Sequence, residues 1–350
     1  MNREEKYMQR CLDLAEMGIA KARPNPSVGC VIVHEDRIIG EGITSKFGGS
    51  HAEVNAVNAV IQKYGEAEAQ RLISEAEVYV SLEPCAHHGK TPPCADLLVQ
   101  YKPKKVRIGC LDPSEKVSGK GVDILQKAGI SCQVGILEEK AKWAIRRFSM
   151  RIRKHRPYVI LKWAETADGY FGSEEEQQKW ISHPASKQLV HKWRAEEAAI
   201  LVGKNTALID NPTLTVREWE GDNPLRVLID KRLEVPESYH IFNKEADTLV
   251  FNAVKFDVRD NIRYIELENF DLYLPQNILY QLYLMDVSSI LIEGGSKTLQ
   301  SFMDAGMWDE ARIFTSPQKW GEGIAAPNII GEVIEEQKVG KDLLKVIKKV

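Results

Sequence analysis

No run of about 18 consecutive apolar residues occurs in this chain, so nothing in it reads as a membrane-spanning helix. The opening MNREEKYMQRCLDLAEMGIAKA carries acidic residues and helical spacing where a secretory signal would carry an apolar block. Cysteine is absent beyond position 132. The six present (Cys11, Cys30, Cys85, Cys94, Cys110, Cys132) are sparse and irregularly spaced in a 350-residue chain, which argues against a disulfide-stapled secreted scaffold. A basic excess is missing as well. Residues 1–150 hold 21 basic and 19 acidic side chains and residues 151–350 hold 26 and 31, so neither half has the electrostatic footprint of a nucleic-acid binder. Internal repeats and low-complexity tracts are not found. These absences predict a cytoplasmic protein that acts on small molecules, with neither nucleic acid nor membrane as partner.

The length favours two domains, and the chain shows where they part. Met8, Leu12, Ala15 and Ile19 recur at helical spacing up to Pro24-Asn25-Pro26, which a helix cannot run through. SVGCVIV and RIIGEGI then read as a hairpin, HAEVNAVNAVIQKY as a helix, EVYVSLEP as a strand, CADLLVQY as a helix, KKVRIGCLD as a strand, GVDILQKAG as a helix and ISCQVGI as a strand. This alternation predicts a layered α/β domain over 1–150, closed by one helix, EEKAKWAIRRFSMRIRK. The basic run from Arg146 to Arg156 reads as a solvated helix face and linker. HRP at 155–157 stops the helix, and from 156 to the end the alternation resumes: YVILKWAE, the helix HPASKQLVHKWRAEE, AAILVG, PLRVLID, DTLVFNA, the helix PQNILYQLYLM, SSILIEGG and a helix from about Ser296.

One loop, SLEPCAHHGKTPPC at 81–94, places two cysteines nine positions apart. Alone they are a redox pair, half of a structural site or part of a catalytic centre. Thirty-four residues earlier, His51-Ala52-Glu53 opens a helix. One histidine and two cysteines make the three protein ligands of a catalytic zinc centre, whose fourth position stays open to water. Glu53, two residues after His51, does not share its helix face, yet from the same first turn it can reach that open position and carry protons. The handful of parts matches zinc deaminases, which combine H-x-E, then P-C and a second cysteine, with a non-ligating glutamate as general acid and base. His87 and His88 would close the site as extra ligands, so substrate contact or loop polarity suits them better. Cys11, Cys30, Cys110 and Cys132 lie in apolar runs, where a small buried hydrophobe suffices.

On these motifs the chain resembles the bifunctional riboflavin biosynthesis proteins, in which a pyrimidine deaminase is fused to a 5-amino-6-(5-phosphoribosylamino)uracil reductase. The matching pieces are PNPSVGCVIV, GEG, HAEVNA and EPCAHHGKTPPC in the first half. In the second they are RPYVILKWAETADGY, Trp180-Ile181, WRAEEAAILVGKNTALIDNPTLTVR, PLRVLID and ILIEGGSKTL. The resemblance implies a cytidine-deaminase-like three-layer domain over 1–150, a dihydrofolate-reductase-like domain over 156–350, zinc and NADPH as cofactors, and a homo-oligomer. It implies that His51, Cys85 and Cys94 bind zinc, that Glu53 shuttles protons, and that Asn25, His87 and Lys90 contact the deaminase substrate. In the reductase it implies that Ala164, Trp180, Thr206, Asp210 and the segment from Gly295 touch the cofactor, and that Arg194, Leu214, Arg217 and Glu293 touch the substrate.

Physical chemistry alone supports part of this. A strand ending in Glu293-Gly294-Gly295 before a helix offers backbone N–H groups and a positive dipole end to a phosphate, and Arg194 and Arg217 could grip another. Some positions depart from the family pattern: Thr44 stands where a histidine is usual after GEG, and Thr166-Ala167, Gln178, Ser182-His183 and Lys231 differ around the reductase site. The function expected is hydrolytic deamination of a diaminopyrimidinone ribotide followed by NADPH reduction of its ribosyl side chain. A nucleic-acid deaminase with an RNA-binding second half, and a deaminase whose degenerate reductase serves as a binding module, are the other readings.

Overall fold

The computed structural model describes residues 1–87, 92–115, 117–172 and 181–350, and the chain divides into two compact units, Met1–His155 and Arg156–Val350. No helix among the described residues is long and apolar enough to cross a membrane.

The first unit runs α1 (Arg3–Ala22), β1 (Gly29–His34), β2 (Arg37–Ile43), α2 (Ala52–Tyr64), α3 (Glu66–Ser74), β3 (Glu77–Leu82), α4 (Cys94–Tyr101), β4 (Lys105–Cys110), α5 (Lys120–Lys127), β5 (Ser131–Val134), α6 (Glu138–Ala144) and α7 (Arg146–Lys154). Asn2 starts α1 with a reciprocal capping box to Glu5. Among the described residues the sheet order is β2-β1-β3-β4-β5, with β1 antiparallel to both neighbours and β3, β4 and β5 parallel. Alternation along the strands divides the core. Cys30, Ile32, Val78 and Val80 pack on the face covered by α2, α3, α4 and α5, while Val31, Val33 and Tyr79 meet Met8, Cys11 and Leu14 of α1 on the other. Both faces of the central strands are buried, giving three layers, and β1 and the middle of β3 are accordingly apolar without interruption.

Two expectations change here. The single helix over 138–154 is two, parted at Ile145. The basic run is not a plain solvated face either: Arg147 is buried, and the Arg146 guanidinium lies over the Trp143 ring at 4.0 Å, so the long stems cover apolar surface.

The second unit comprises β6 (Tyr158–Thr166), β7 (Tyr170–Gly172), α8 (Pro184–Glu196), β8 (Ala199–Gly203), α9 (Lys204–Asp210), β9 (Leu225–Ile229), β10 (Thr248–Asn252), β11 (Asp257–Arg259), β12 (Ile262–Glu266), α10 (Leu274–Leu284), β13 (Ser289–Ile292), α11 (Ser296–Asp304), β14 (Glu310–Ser316), β15 (Ile324–Ala325), β16 (Glu332–Val339) and β17 (Asp342–Lys348). Its main sheet among the described residues is ordered β11-β12-β10-β9-β8-β13-β6-β14-β17-β16. The run from β12 to β14 is parallel, and the two edges turn antiparallel. Val159, Leu161, Leu201 and Ile290 face α10 and α11, while Ile200, Val202, Leu228 and Val250 face Ala207 of α9. The strand β13 lies between β6 and β8, so its carboxyl end, carrying Glu293, opens at the middle of the sheet. Open parallel sheets bind ligands at such places.

Candidate functional site

In the first unit, three elements deliver the metal donors. His51 is the N-cap of α2, in extended backbone, which turns its ring out of the helix. Cys85 follows the end of β3, and Cys94 is the first residue of α4. The His51 Nδ1 lies 3.4 Å from the Cys85 Sγ and 3.3 Å from the Cys94 Sγ, and all three donor atoms fall within 4.8 Å of one another. Tetrahedral zinc, with bonds of about 2.3 Å to sulfur and 2.0–2.1 Å to nitrogen, wants nitrogen and sulfur roughly 3.6 Å apart. The donor set and its spacing therefore fit the ion. The Cys94 N–H donates to the Cys85 Sγ at 3.3 Å, a bond that favours sulfur as thiolate. Hydrogen bonds from Cys94 and His51 hold the Cys85 thiol well below its usual range against burial, and the bond to Cys85 raises His51.

Glu53, in the first turn of α2, is 4% exposed. Burial pushes its carboxyl up to about 7, with the neighbouring Cys85 adding to the rise while its own backbone N–H and His51 oppose it. A carboxyl in this range exchanges protons readily near neutrality. The GEG motif has a packing reason: a Cβ on Gly42 would overlap the Ala52 carbonyl, and one on Gly40 would overlap that of Ala56, so α2 lies directly on β2. Asn55 then ties the intervening loop to the helix, its Nδ2 donating to the Ile43 carbonyl at 2.7 Å and to the Ser45 Oγ at 3.0 Å.

The structure thus brings together His51, Glu53, Cys85 and Cys94. Asn25 is half-buried on the turn between α1 and β1. His87 is exposed after Cys85, near enough to Asp112 to counter the burial that raises its carboxyl. Lys90 and His88 lie outside the described residues. Thr44, the departure after GEG, is buried, and its Oγ1 accepts the Val28 N–H at 3.0 Å, so its hydroxyl serves the backbone.

In the second unit a cavity of about 870 Å³ opens at the carboxyl ends of β6, β8, β9 and β13. Ala164, Thr206, Asp210, Gly295 and Glu293 line it, while Trp180 and Gln178 lie outside the described residues. Gly295 caps α11 at φ +22°, a conformation open chiefly to glycine, and its N–H donates to the Thr206 Oγ1 at 2.8 Å. Gly295 has no side chain to cap α11, and among the described residues no hydrogen bond to its first-turn N–H groups is seen, which suits them to an anion beside Lys297. Those groups, the cavity's volume and its basic rim (Lys204, Lys231, Arg232) suit a phosphorylated dinucleotide. Lys204 and Lys231 are each paired with an acid, Glu234 and Asp271.

Arg194 and Arg217 occupy different positions from a simple pair of phosphate clamps. Arg194 donates to both oxygens of Glu293, at 3.3 Å from Nε and 2.8 Å from Nη2, so its fork faces a carboxylate. Arg217 donates through Nη1 to the hydroxyls of Thr213 and Thr215. Leu214 has its side chain in the core and its backbone at φ +57°, which offers main-chain groups rather than the side chain. Two residues escaped the reading of the sequence. His191 stands one turn before Arg194 and accepts the Arg217 N–H at its Nδ1 (3.1 Å); burial, with Arg194 and Arg217 close by, lowers it to about 4. Lys162 lines the cavity, and burial lowers its ammonium below the usual range, against Glu293. The spacing H-x-x-R in HKWR was the available signal for His191.

The departures are accommodated locally. The Thr166 Oγ1 donates to the Asp168 Oδ1 at 2.6 Å and accepts the Tyr170 N–H at 2.9 Å. His183 caps α8 by accepting the Ala185 N–H at 3.2 Å, and its own N–H donates to the buried Asp342 at 2.7 Å.

The comparisons agree with this geometry. The family model for the cytidine and deoxycytidylate deaminase zinc-binding region matches residues 1–110, and that for the RibD C-terminal domain matches residues 157–345. The riboflavin biosynthesis protein RibD of Aquifex aeolicus is 37% identical over 346 residues, covering 97% of this chain and 94% of its own. That of Escherichia coli is 33% identical over 335 residues, covering 91% and 89%. The crystal structure of a diaminohydroxyphosphoribosylaminopyrimidine deaminase/5-amino-6-(5-phosphoribosylamino)uracil reductase from Thermotoga maritima is 34% identical and superposes with a TM-score of 0.89 over 99% of both chains. Matched from end to end in sequence and in fold, the chain belongs to the RibD family of bifunctional riboflavin biosynthesis proteins, with a zinc-dependent deaminase followed by an NADPH-dependent reductase.

Proposed function

We propose that the first unit removes ammonia hydrolytically from 2,5-diamino-6-(5-phosphoribosylamino)pyrimidin-4(3H)-one, and that the second reduces the ribosyl side chain of the product to ribityl. The observation that carries this is the convergence of the His51, Cys85 and Cys94 donor atoms within 4.8 Å, beside the buried Glu53. Zinc at these donors supplies Lewis acidity toward water at neutral pH. As the water oxygen bonds to the amine-bearing ring carbon, Glu53 would pass one of its protons to the ring nitrogen and then the second, from the new hydroxyl, to the amine as the carbon–nitrogen bond breaks and ammonia leaves, transfers suited to a carboxyl raised by burial. Asn25, His87 and Lys90 hold the ribotide.

In the second unit, Ala164, Trp180, Thr206, Asp210 and the α11 start from Gly295 hold NADPH, which supplies the two electrons. Glu293, oriented by Arg194, faces the sugar from the cavity wall, while Arg217 and the backbone at Leu214 bind the phosphate end. The small-molecule substrate accords with the near-balanced charge of both halves. We place the protein in the cytoplasm, as a homo-oligomer without a nucleic-acid partner.

The test is incubation of zinc-loaded protein with the diamino ribotide, with and without NADPH, following ammonia and the nicotinamide absorbance. Ammonia release in both, with NADPH oxidation dependent on it, is the expected result. Absence of ammonia overturns the first half of the reading, and ammonia without NADPH oxidation overturns the second. Tight association with RNA at low salt would favour the nucleic-acid deaminase instead.

A further inference from the structure

Glu83 follows the last residue of β3, two residues before Cys85, is 5% exposed and is not among the donors that converge at His51, Cys85 and Cys94. Its carboxylate accepts four backbone N–H groups, two on each oxygen. The Oε2 takes those of Asp112 (3.1 Å) and Gly119 (3.0 Å), and the Oε1 takes those of Gly121 (2.9 Å) and Val122 (3.3 Å). Three of these four donors sit at the start of α5, whose N-cap is Gly119 in left-handed backbone with no side-chain cap of its own. Glu83 therefore caps that helix from another element, where an acid also meets the favourable end of the helix dipole.

The helix in turn presses on the ligand loop. Gly121 lies so close to the Pro84 carbonyl oxygen that a Cβ there would overlap it, so α5 backs directly onto the Pro84–Cys85 peptide. On the other side, α4 grips Cys85: the Cys94 N–H donates to its Sγ (3.3 Å) and the Ala95 N–H to its carbonyl (3.1 Å). Cys85 is thus held between two helix starts. One bears the second thiolate, and the other is fastened by Glu83.

We propose that Glu83 is a positioning residue for the metal centre, fixing the Cys85 thiolate through α5 rather than taking part in the reaction. This rests on reading His51, Cys85 and Cys94 as zinc ligands. The carboxylate is irreplaceable for a geometric reason. Each oxygen accepts two N–H groups, so glutamine must turn an NH2 group against two donors whichever way its amide faces. Glu83→Gln is nearly isosteric and still defeats half of the bonds.

The experiment compares wild type, Glu83→Gln and Glu83→Asp, each loaded with zinc or cobalt. Wild type is expected to show thiolate-to-cobalt charge-transfer bands with tetrahedral intensity; their absence there would sink the ligand assignment itself, separately from the role of Glu83. In Glu83→Gln, zinc release to a chelator is expected to accelerate roughly 10–100-fold, as for other outer partners of metal ligands. The cobalt bands should shift, and the amides of Asp112, Gly119, Gly121 and Val122 should lose hydrogen-exchange protection. Glu83→Asp should recover part of each. Unchanged zinc release and cobalt bands in Glu83→Gln, with those amides unprotected, would mean that Glu83 only caps α5, and the proposal falls. If Glu83→Gln does not fold, Gly121→Ala decides: its Cβ overlaps the Pro84 carbonyl oxygen and so wedges α5 off Pro84, while it meets the retained Glu83 carboxylate only at 3.2 Å. Unchanged zinc release in that variant would equally overturn the proposal.

Discussion

Arg194 and Glu293 form a two-bonded pair, Nη2 to Oε2 at 2.8 Å and Nε to Oε1 at 3.3 Å, at the wall of the reductase cavity. Burial alone would raise the Glu293 carboxyl, but Arg194 and then Lys162 pull it below its usual range. The acid is thereby kept charged and aimed. Arg194→Ala should destabilise the second unit by about 3 kcal/mol, since it leaves a buried carboxylate without its partner. Urea unfolding measures this, and NADPH oxidation should fall at least tenfold while ammonia release persists. Equal losses of both activities would contradict the assignment of the pair to the reductase.

Glu53→Gln keeps the size of the side chain and removes its proton exchange. Ammonia release should fall by about 10²–10⁴-fold with zinc still bound. Cys94→Ser should instead weaken zinc binding more than about a hundredfold, beyond what outer partners cost. Metal content by mass spectrometry beside the rate of ammonia release separates the two variants; zinc loss in Glu53→Gln would make Glu53 a ligand.

Gly42→Ala should push α2 off β2, because the added methyl meets the Ala52 carbonyl. That helix carries His51 and Glu53. Overpacking of this kind costs about 1–3 kcal/mol, so thermal denaturation and zinc release should both respond, while the same change at the open Gly65, where a Cβ meets nothing within 4 Å, should leave zinc release alone.

His191, 1% exposed, has its proton affinity lowered from the usual 6.5 to about 4, first by burial and then by Arg194 and Arg217. The fold favours the neutral ring, so its contribution is whole above pH 6.5 and is lost as pH falls toward 4 and the unfolded chain takes up the proton. The full swing is about 3 kcal/mol at one pKa unit per 1.36 kcal/mol. Urea titrations at pH 7 and pH 5 should show a smaller decline in His191→Asn than in wild type; an identical decline would exclude His191 as its source.

The convergence of His51, Cys85 and Cys94 beside Glu53 was readable because short motifs confined to a strand end and two helix starts carry them, and local sequence sets those positions. The strands β1–β6, β8–β10 and β13 were readable from their own apolar runs, whereas β7, β11, β12 and the helix α3 were not. Less was visible where long-range packing decides. The break at Ile145 leaves no proline or glycine, and α9 is too short for a period to show. The C-terminal strands β14, β16 and β17 went unread, although β17 alternates, because their pairing depends on β6 far upstream. Arg226 is the clearest case. In PLRVLID it looks like a surface charge, yet it is fully buried with no acid in its hydrogen bonds, donating to the Asn243 Oδ1 (2.7 Å) and to carbonyls of Thr213, His240 and Ala246. Burial lowers it to about 10. By this it fastens the loop that carries Leu214, a task that no local pattern announces.

The place of β13 between β6 and β8 has a consequence for the order of assembly. Ser289 registers against Tyr158 and Ile290 against Ala199, so the middle of the large sheet stays incomplete until the segment ending at Ile292 has been synthesised. Every strand of the smaller sheet is available by Val134. On a ribosome making about 5–20 residues per second, the hydrolytic half can close many seconds before its redox companion, whose exposed parallel strands must wait for their centrepiece. A nascent chain arrested before Ser289 should therefore hold a protease-resistant first half attached to a digestible second.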